Sequence, residues 1–301
     1  MRPPLDGSIV ITGASAGIGE ALAAQVAGRA RRLWLVARRE DRLQALAQRL
    51  RADHAGLQVE VVPCDLAQAS ARERLVERLL AAGPLDVLIN NAGFGDQNLL
   101  EHARWDRLEQ MLAVNVVALT HLTQRLLPAM VERGRGGVLN ISSGFGLSWM
   151  PGLAVYVGTK HYVTGLSEAL RAEVAPRGVV VTQVCPGPVR TEFHGLTHNT
   201  TGQRSPGFAY ISADQCAAEA LAGFERNRAI VVPGVVIRNL LRLYAVTPRW
   251  LWRRLAQRMV GRLRVHAQRE HMASLPEPEG EGMGEAEGKS TAKGEGKGQG
   301  A

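Results

Sequence analysis

Short runs of Val, Ile and Leu recur along the chain as far as Val232, and between them lie longer stretches in which apolar residues fall three and four positions apart. Unbroken apolar runs suit strands covered on both faces, while the 3.6-residue period marks helices with one buried stripe. Their alternation predicts βα units and a parallel sheet. On this pattern strands are expected over Ser8–Thr12, Leu33–Ala37, Gln58–Pro63, Leu85–Asn90, Gly137–Ser142, Val179–Cys185 and Ala229–Val232. The first helix is expected to start near Glu20. Two later helix starts carry capping boxes, Ser70 with Glu73 and Ser212 with Gln215, in which side chain and backbone satisfy each other's orphan groups. Right-handed crossovers then give an α/β chain: a single doubly wound Rossmann domain with a parallel sheet of about seven strands, and a ligand cleft at the C-terminal ends of the strands.

The pattern changes after residue 234. Residues 235–272 interleave Leu240, Leu241, Tyr244, Leu251, Trp252, Leu255, Met259 and Leu263 with the arginines from Arg238 to Arg264. This predicts a basic amphipathic helical extension, two helices broken near Pro248. Residues 273–301 are Gly, Glu and Lys in low-complexity alternation, with almost nothing apolar to bury, and are expected to be disordered. The chain is therefore read as a core domain over 1–234, the helical extension over 235–272 and a tail.

Charge and composition narrow the function classes. The net charge of +8 matters less than its placement. The arginines of the extension alternate with apolar residues and form no recognisable reading module, so no nucleic-acid partner is expected. A membrane surface fits the chemistry, with arginines on anionic headgroups and Trp250, Trp252 and the leucines in the interface; a flap packed on the core or on a neighbouring subunit is the other reading. No stretch approaches the ~18 apolar residues of a membrane span, and the chain start leaves no room for a signal peptide. Cys64, Cys185 and Cys216 are odd in number and widely spaced, which argues against a disulfide framework. With no ligand spacing among His161, His194 and His198, no metal is expected. The expected location is cytoplasmic, with peripheral contact at the inner membrane face as a further expectation.

Two local motifs carry chemistry. Gly13, Gly17 and Gly19, with Ser15 and Ile18 between them, join the first strand to its helix, where a backbone must turn tightly and approach an anion at a helix N-terminus. At the end of the second strand, where an NAD site would carry an acid for the ribose hydroxyls, the chain reads Ala37-Arg38-Arg39. A guanidinium suits a 2′-phosphate, so NADP(H) is favoured over NAD(H). Further on, Tyr156 and Lys160 stand four apart and share one helix face. A phenol titrates near pH ~10, and an adjacent ammonium lowers that value by ~1 to 3 units, which is the tuning proton transfer needs. Lys160 is also the only lysine before residue 289, in a chain that otherwise uses arginine for its cations. A compact point charge is wanted there.

Taken in order, the Thr12–Gly19 turn, Asp65, Asn90-Asn91-Ala92-Gly93, Asn115, Ser142-Ser143, Tyr156 with Lys160, and Pro186-Gly187-Pro188-Val189-Arg190-Thr191 resemble the classical short-chain dehydrogenase/reductase family over about Gly7 to Val232. The wording around Phe94-Gly95 and Val232-Pro233-Gly234 is most similar to its bacterial DltE-type branch. The resemblance implies that Tyr156 exchanges a proton with the substrate oxygen and that Ser143, thirteen residues earlier, steadies the developing charge there. It implies that Lys160 binds the nicotinamide ribose and that Asn115 holds a water leading to Lys160. Asp65 would contact adenine, Asn91 the cofactor backbone region, and Val189 and Thr191 the carboxamide. A homodimer or homotetramer through the helices of Asn115 and Tyr156 is the family expectation. Phe94, Phe145, Trp149, Met150, Phe193 and His194 are the expected pocket residues, the last two opening a lid that runs to about Ile211. Their apolar character suits a hydrophobic small-molecule carbonyl compound. The resulting expectation is an NADP(H)-dependent oxidoreductase interconverting a ketone and a secondary alcohol, with a 3-oxoacyl thioester reductase as the alternative.

Overall fold

The computed structural model describes residues 1–193, 197–203 and 205–273, with side chains as far as Val265. His194 and the predicted tail from residue 274 lie outside the described residues. Seven strands, β1 (Ser8–Thr12), β2 (Arg32–Ala37), β3 (Gln58–Pro63), β4 (Val87–Asn90), β5 (Gly136–Ile141), β6 (Val179–Val184) and β7 (Ile230–Val231), form one sheet. All neighbours run parallel, in the order β7-β6-β5-β4-β1-β2-β3. Each predicted strand is present, with ends moved by two residues at most.

The alternation of side chains explains the two-layer core. Ile9, Ile11, Leu33 and Leu35 point to one face, against α1 (Gly17–Ala27) and α2 (Glu40–Asp53). Val10, Trp34, Val36 and Leu88 point to the other, against α3 (Ala69–Ala81) and the helix carrying Leu122 and Leu126. Helices on both faces leave no polar side for the sheet, which is why the strands read as unbroken apolar runs. The strand order reverses between β1 and β4, and a cleft opens outside the strand ends at such a switch point.

Two helix starts differ from expectation. α1 begins at Gly17, three residues before Glu20, despite the low helix propensity of glycine. α3 begins at Ala69 after Gln68, so Ser70 lies inside the first turn and makes no cap. The preceding turn is satisfied by other groups. Asp65 accepts a hydrogen bond from the Ala67 amide at 3.1 Å, and Arg72 donates to the carbonyls of Leu66 and Ala67 at 2.8 and 3.0 Å. Ser212 does cap, accepting from the Gln215 amide at 3.0 Å at the head of a helix over Ala213–Glu225.

The site is held by three further helical pieces. α4 (Trp105–Leu112) runs through a π-helical turn over Ala113–Ala118 into α5 (Leu119–Glu132), and α6 (Ala154–Val174) packs beside that turn. After α7 (Ala213–Glu225), α8 (Val235–Val246) and α9 (Arg249–Ala273) form the C-terminal extension, separated near Pro248. Among the described residues no helix is long and apolar enough to cross a membrane.

Candidate active site

The glycine turn is fixed by close approach rather than by flexibility. A Cβ on Gly19 would stand 2.3 Å from the Gly13 carbonyl oxygen, and Gly17, at φ +60°, would push its own into the Thr191 methyl at 2.9 Å. Ala16 precedes α1 without any side-chain cap, so the first amides of that helix are left for an outside partner. Asn91 ties the turn to the neighbouring strand end, donating to the carbonyls of Thr12 at 2.9 Å and Gly13 at 3.1 Å.

A cleft of about 1530 Å³ begins at this turn. Gly13, Ser15, Gly17 and Ile18 line it, as do Arg38, Asp65, Asn91, Val189 and Thr191. Gly19 supports the turn from beneath. Backbone that only glycine permits, orphan helix amides and arginine at the far end suit the pyrophosphate and ribose of a dinucleotide. Of the two arginines, Arg38 is exposed, whereas Arg39 holds the turn: its guanidinium donates to the Ser15 hydroxyl at 3.3 Å and pairs with Glu192 at 2.7 Å. That pair keeps the Glu192 carboxyl below its ordinary titration range. The sequence singled out Arg38 and gave Arg39 no place of its own.

At the other end of the cleft, α6 brings Tyr156 and Lys160 to one face as their spacing predicts. Lys160 does not reach for the phenol, however. Its Nζ donates to the Ile141 carbonyl at the end of β5, at 3.0 Å, and lies 5.7 Å from the Tyr156 ring centre. Burial therefore governs the phenol, whose pKa is pushed up to about 12, while a hydrogen bond with Ser143 pulls it the other way. This corrects the expected downward shift. Burial also lowers the Lys160 ammonium to about 8. The Ser143 hydroxyl accepts from the Phe145 amide at 3.2 Å, and its neighbour Ser142 is turned into α6, donating to the Lys160 carbonyl at 3.1 Å.

Asn115 sits in the π-helical turn and does not line the cleft. Its amide is occupied by the loop after β4: the side-chain oxygen accepts from the Phe94 amide at 3.1 Å, and Nδ2 donates to the Phe94 carbonyl at 2.9 Å and to Thr159 Oγ1 at 3.2 Å. A Cβ built on Gly93 would fall 3.0 Å from that side-chain oxygen and 3.6 Å from Lys160 Nζ, so both residues border one small space. Beneath them a buried ladder, Asn90 to Asn140 to Ser167, ties β4, β5 and α6 together at 2.9 Å per step.

Phe94, Phe145, Met150 and Phe193 line the substrate half of the cleft. Phe145 and Phe193 flank the Tyr156 ring, with ring centres 6.5 and 6.2 Å away. Trp149 turns outward instead and is no part of the lining. The far wall is formed where Ile237, Leu240 and Leu241 of α8 and Met259 of α9 close over the site with Phe208 and Tyr210; the sequence offered a flap packed on the core as one reading of the extension, without naming Ile237 or the cleft as what it covers. The three- and four-residue spacing of the α8 side chains marked an apolar stripe but not what it packs against.

These features are those of one enzyme family. Residues 8–201 match the family model described as short chain dehydrogenase, and the chain belongs to that family. It is an oxidoreductase acting on CH–OH or carbonyl groups with a nicotinamide cofactor. A short-chain dehydrogenase from Sphingobium yanoikuyae solved with NADPH is 30% identical, with a TM-score of 0.71, over 90% of this chain and 97% of that one. An uncharacterized oxidoreductase of Myxococcus xanthus is 36% identical over 61% of this chain and 72% of its own length. A very-long-chain 3-oxoacyl-CoA reductase of Macaca fascicularis is 28% identical over 88% of this chain and 83% of its own. The chain spans only 15% of a further relative, glycine betaine reductase ATRR of Emericella nidulans. Solved neighbours of the same fold hold NADPH or NAD.

Proposed function

We propose that this chain is an NADP(H)-dependent carbonyl reductase that interconverts a hydrophobic ketone and its secondary alcohol. The observation that carries the reading is the meeting of Tyr156, Ser143 and Lys160 in one largely apolar cleft continuous with the glycine turn. When bound, the nicotinamide supplies the hydride in reduction and takes it up in oxidation. Ser143 donates a hydrogen bond to the substrate oxygen and stabilises charge as it develops there. Tyr156 gives its proton to that oxygen: its raised pKa keeps the phenol protonated at neutral pH, and the negative charge developing on the substrate oxygen draws the proton across. Lys160 holds positive charge beside the phenol and is placed to grip the ribose. Asn115 acts as a positioning residue, fixing Phe94 and the loop that borders Lys160. The glycine turn takes the pyrophosphate, with Asp65, Asn91, Val189 and Thr191 contacting the rest of the cofactor.

Preference for NADP(H) rests on Arg38 and Arg39 at the adenosine end, where two guanidiniums suit a 2′-phosphate. An oligomer through α4, the π-helical turn and α6 is supported by Trp105, Val117 and Tyr162, large apolar side chains left exposed on those elements. The three cysteines, all buried free thiols, suit the cytoplasm. The DltE-type branch rests on the sequence wording alone.

Replacing Tyr156 by Phe removes the proton donor and little else. Turnover should fall by at least ~100-fold, the usual worth of a positioned acid, with NADPH affinity kept within about twofold by fluorescence titration. Wild-type turnover in Tyr156→Phe would refute the mechanism. A 3-oxoacyl thioester reductase is the second reading, favoured by the arginines around the mouth and by the 3-oxoacyl-CoA reductase relative. Rates on acyl thioesters set against simple ketones separate the two.

A further inference from the structure

The C-terminal helices have two jobs on two faces. One face closes the substrate half of the cleft. Ile237 packs on Gly187, where a Cβ would fall 2.3 Å from its side chain, and Leu241 reaches Gly144, the residue after Ser143. Leu263 is buried, facing Gly152, and Arg264 pairs with Glu101 at 2.6 Å, so α9 is anchored on the opposite lip of the cleft. The other face is exposed and apolar, with Leu243, Val246, Trp250 and Leu251 on it. Leu240 and Met259 belong to both, since they line the cleft and are themselves exposed at its rim. An apolar path therefore runs from the outer surface to Tyr156.

The charges of these helices share one sign. From residue 226 to 269 the chain contains no acid, and residues 235–268 contain eight arginines. Arg238 and Arg264 are paired, with Glu219 and Glu101. Arg242, Arg249, Arg253, Arg254, Arg258 and Arg262 are exposed, and Arg254 lies 5.2 Å over the Trp250 ring, a cation on an indole at the edge of the patch. Exposed Trp and Leu interleaved with six exposed guanidiniums and no carboxylate match an anionic lipid surface, with aromatic rings at headgroup depth and arginines on phosphates. The same pattern disfavours a second copy of this chain, because a symmetric pairing would set arginines against arginines.

We infer that α8 and α9 dock the protein on an anionic membrane with the cleft mouth against the lipid, so that the substrate is a long-chain carbonyl compound drawn from the bilayer along the Leu240–Met259 rim. This rests on the reductase reading for the chemistry of the substrate, but the docking stands apart from it. The full chain loaded with NADPH is floated with vesicles of phosphatidylcholine alone and with vesicles containing phosphatidylglycerol. Binding is expected on the anionic vesicles only, and to fall about fivefold per arginine removed, or about a hundredfold in Arg253→Gln/Arg254→Gln/Arg258→Gln. Rates are then measured on 2-heptadecanone dissolved in the vesicles and on water-soluble 2-pentanone. Anionic vesicles should raise kcat/KM for the long ketone at least tenfold, the triple variant should lose that gain, and its rate on 2-pentanone should not change. Absence of the protein from floated anionic vesicles, equal flotation with both lipids, or sedimentation as a dimer that the triple variant dissociates would overturn the docking. Flotation without any gain on the long ketone would overturn the delivery of substrate from lipid. If neither ketone reacts while flotation holds, the reductase reading fails and the docking remains.

Discussion

Replacing Lys160 by Met should stabilise the cofactor-free protein near neutral pH, and that gain should vanish as the solution becomes alkaline. Folding buries this ammonium and lowers its pKa from 10.5 to about 8. At pH 7 the folded state must carry a charge it holds less tightly than the unfolded chain does. At 1.36 kcal/mol per unit, the difference amounts to about 3 kcal/mol. The sign follows from proton counting. Between pH 8 and 10.5 the unfolded chain binds the proton and the folded one does not, so stability rises with pH across that window and levels off above it. Met fills the same volume without the charge and has no such slope. Loss of the hydrogen bond to the Ile141 carbonyl costs about 1 kcal/mol at every pH and leaves the slope untouched. Urea unfolding of both proteins at pH 7 and pH 10 reads the effect as the gap between them, which should narrow by about 2 kcal/mol. Tyr156, raised to about 12, opposes the rise only above pH 10 and is common to both proteins. A gap that stays constant between pH 7 and pH 10 would refute the placement of Lys160 as a buried, charged group.

The remaining predictions test the cofactor end and the supports of the site. Glu192→Gln frees Arg39 from its carboxylate partner, so NADPH should bind a few-fold more tightly by isothermal titration while NADH changes little; equal effects on both cofactors would remove Arg39 from the 2′ position. Arg39→Ala should do the reverse, raising the KM for NADPH about tenfold or more and leaving that for NADH within about twofold. Asn115→Ala leaves both Phe94 backbone groups without their partner and removes the donor to Thr159 Oγ1, which keeps its own bond to the Tyr156 carbonyl; it should cost about 2 to 4 kcal/mol in denaturant unfolding, with turnover lowered alongside. Gly19→Ala sets a methyl against the Gly13 carbonyl and should weaken NADPH binding at least about tenfold, since the turn must open to admit it.

The strands were legible because burial on both faces makes most of their positions apolar, as Val10 and Ile11 show by facing opposite layers, while polar exceptions such as Asn90 and Asn140 pair with each other. Helix starts were less so. Ser70 with Glu73 has the composition of a cap, but Arg72 and Asp65 satisfy the preceding turn, a contact between side chain and local backbone that no spacing rule encodes. At the site, the side of α6 shared by Tyr156 and Lys160 follows from helical geometry, whereas the aim of the ammonium depends on where β5 ends, and that is set by tertiary packing. Arg39 eclipsed Arg38 for a similar reason. Both carry the charge, and only the chain path after β2 decides which one meets Ser15. The far wall of the cleft was visible as part of an apolar stripe, at Leu240, Leu241 and Met259, but what α8 packs against, the glycines at 144 and 187, lies far away in sequence.

Lys160 stands alone as a lysine in the first 288 residues, and the other three are at 289, 293 and 297. Growth on lysine labelled with nitrogen-15 would therefore give a spectrum in which a single side-chain resonance comes from the body of the enzyme. Its chemical shift would follow the protonation of that amine directly, and its response to each added molecule would separate occupation of the cleft from events elsewhere on the surface. The amino-acid usage of this chain thus supplies a built-in reporter at its reactive centre, without any engineered probe.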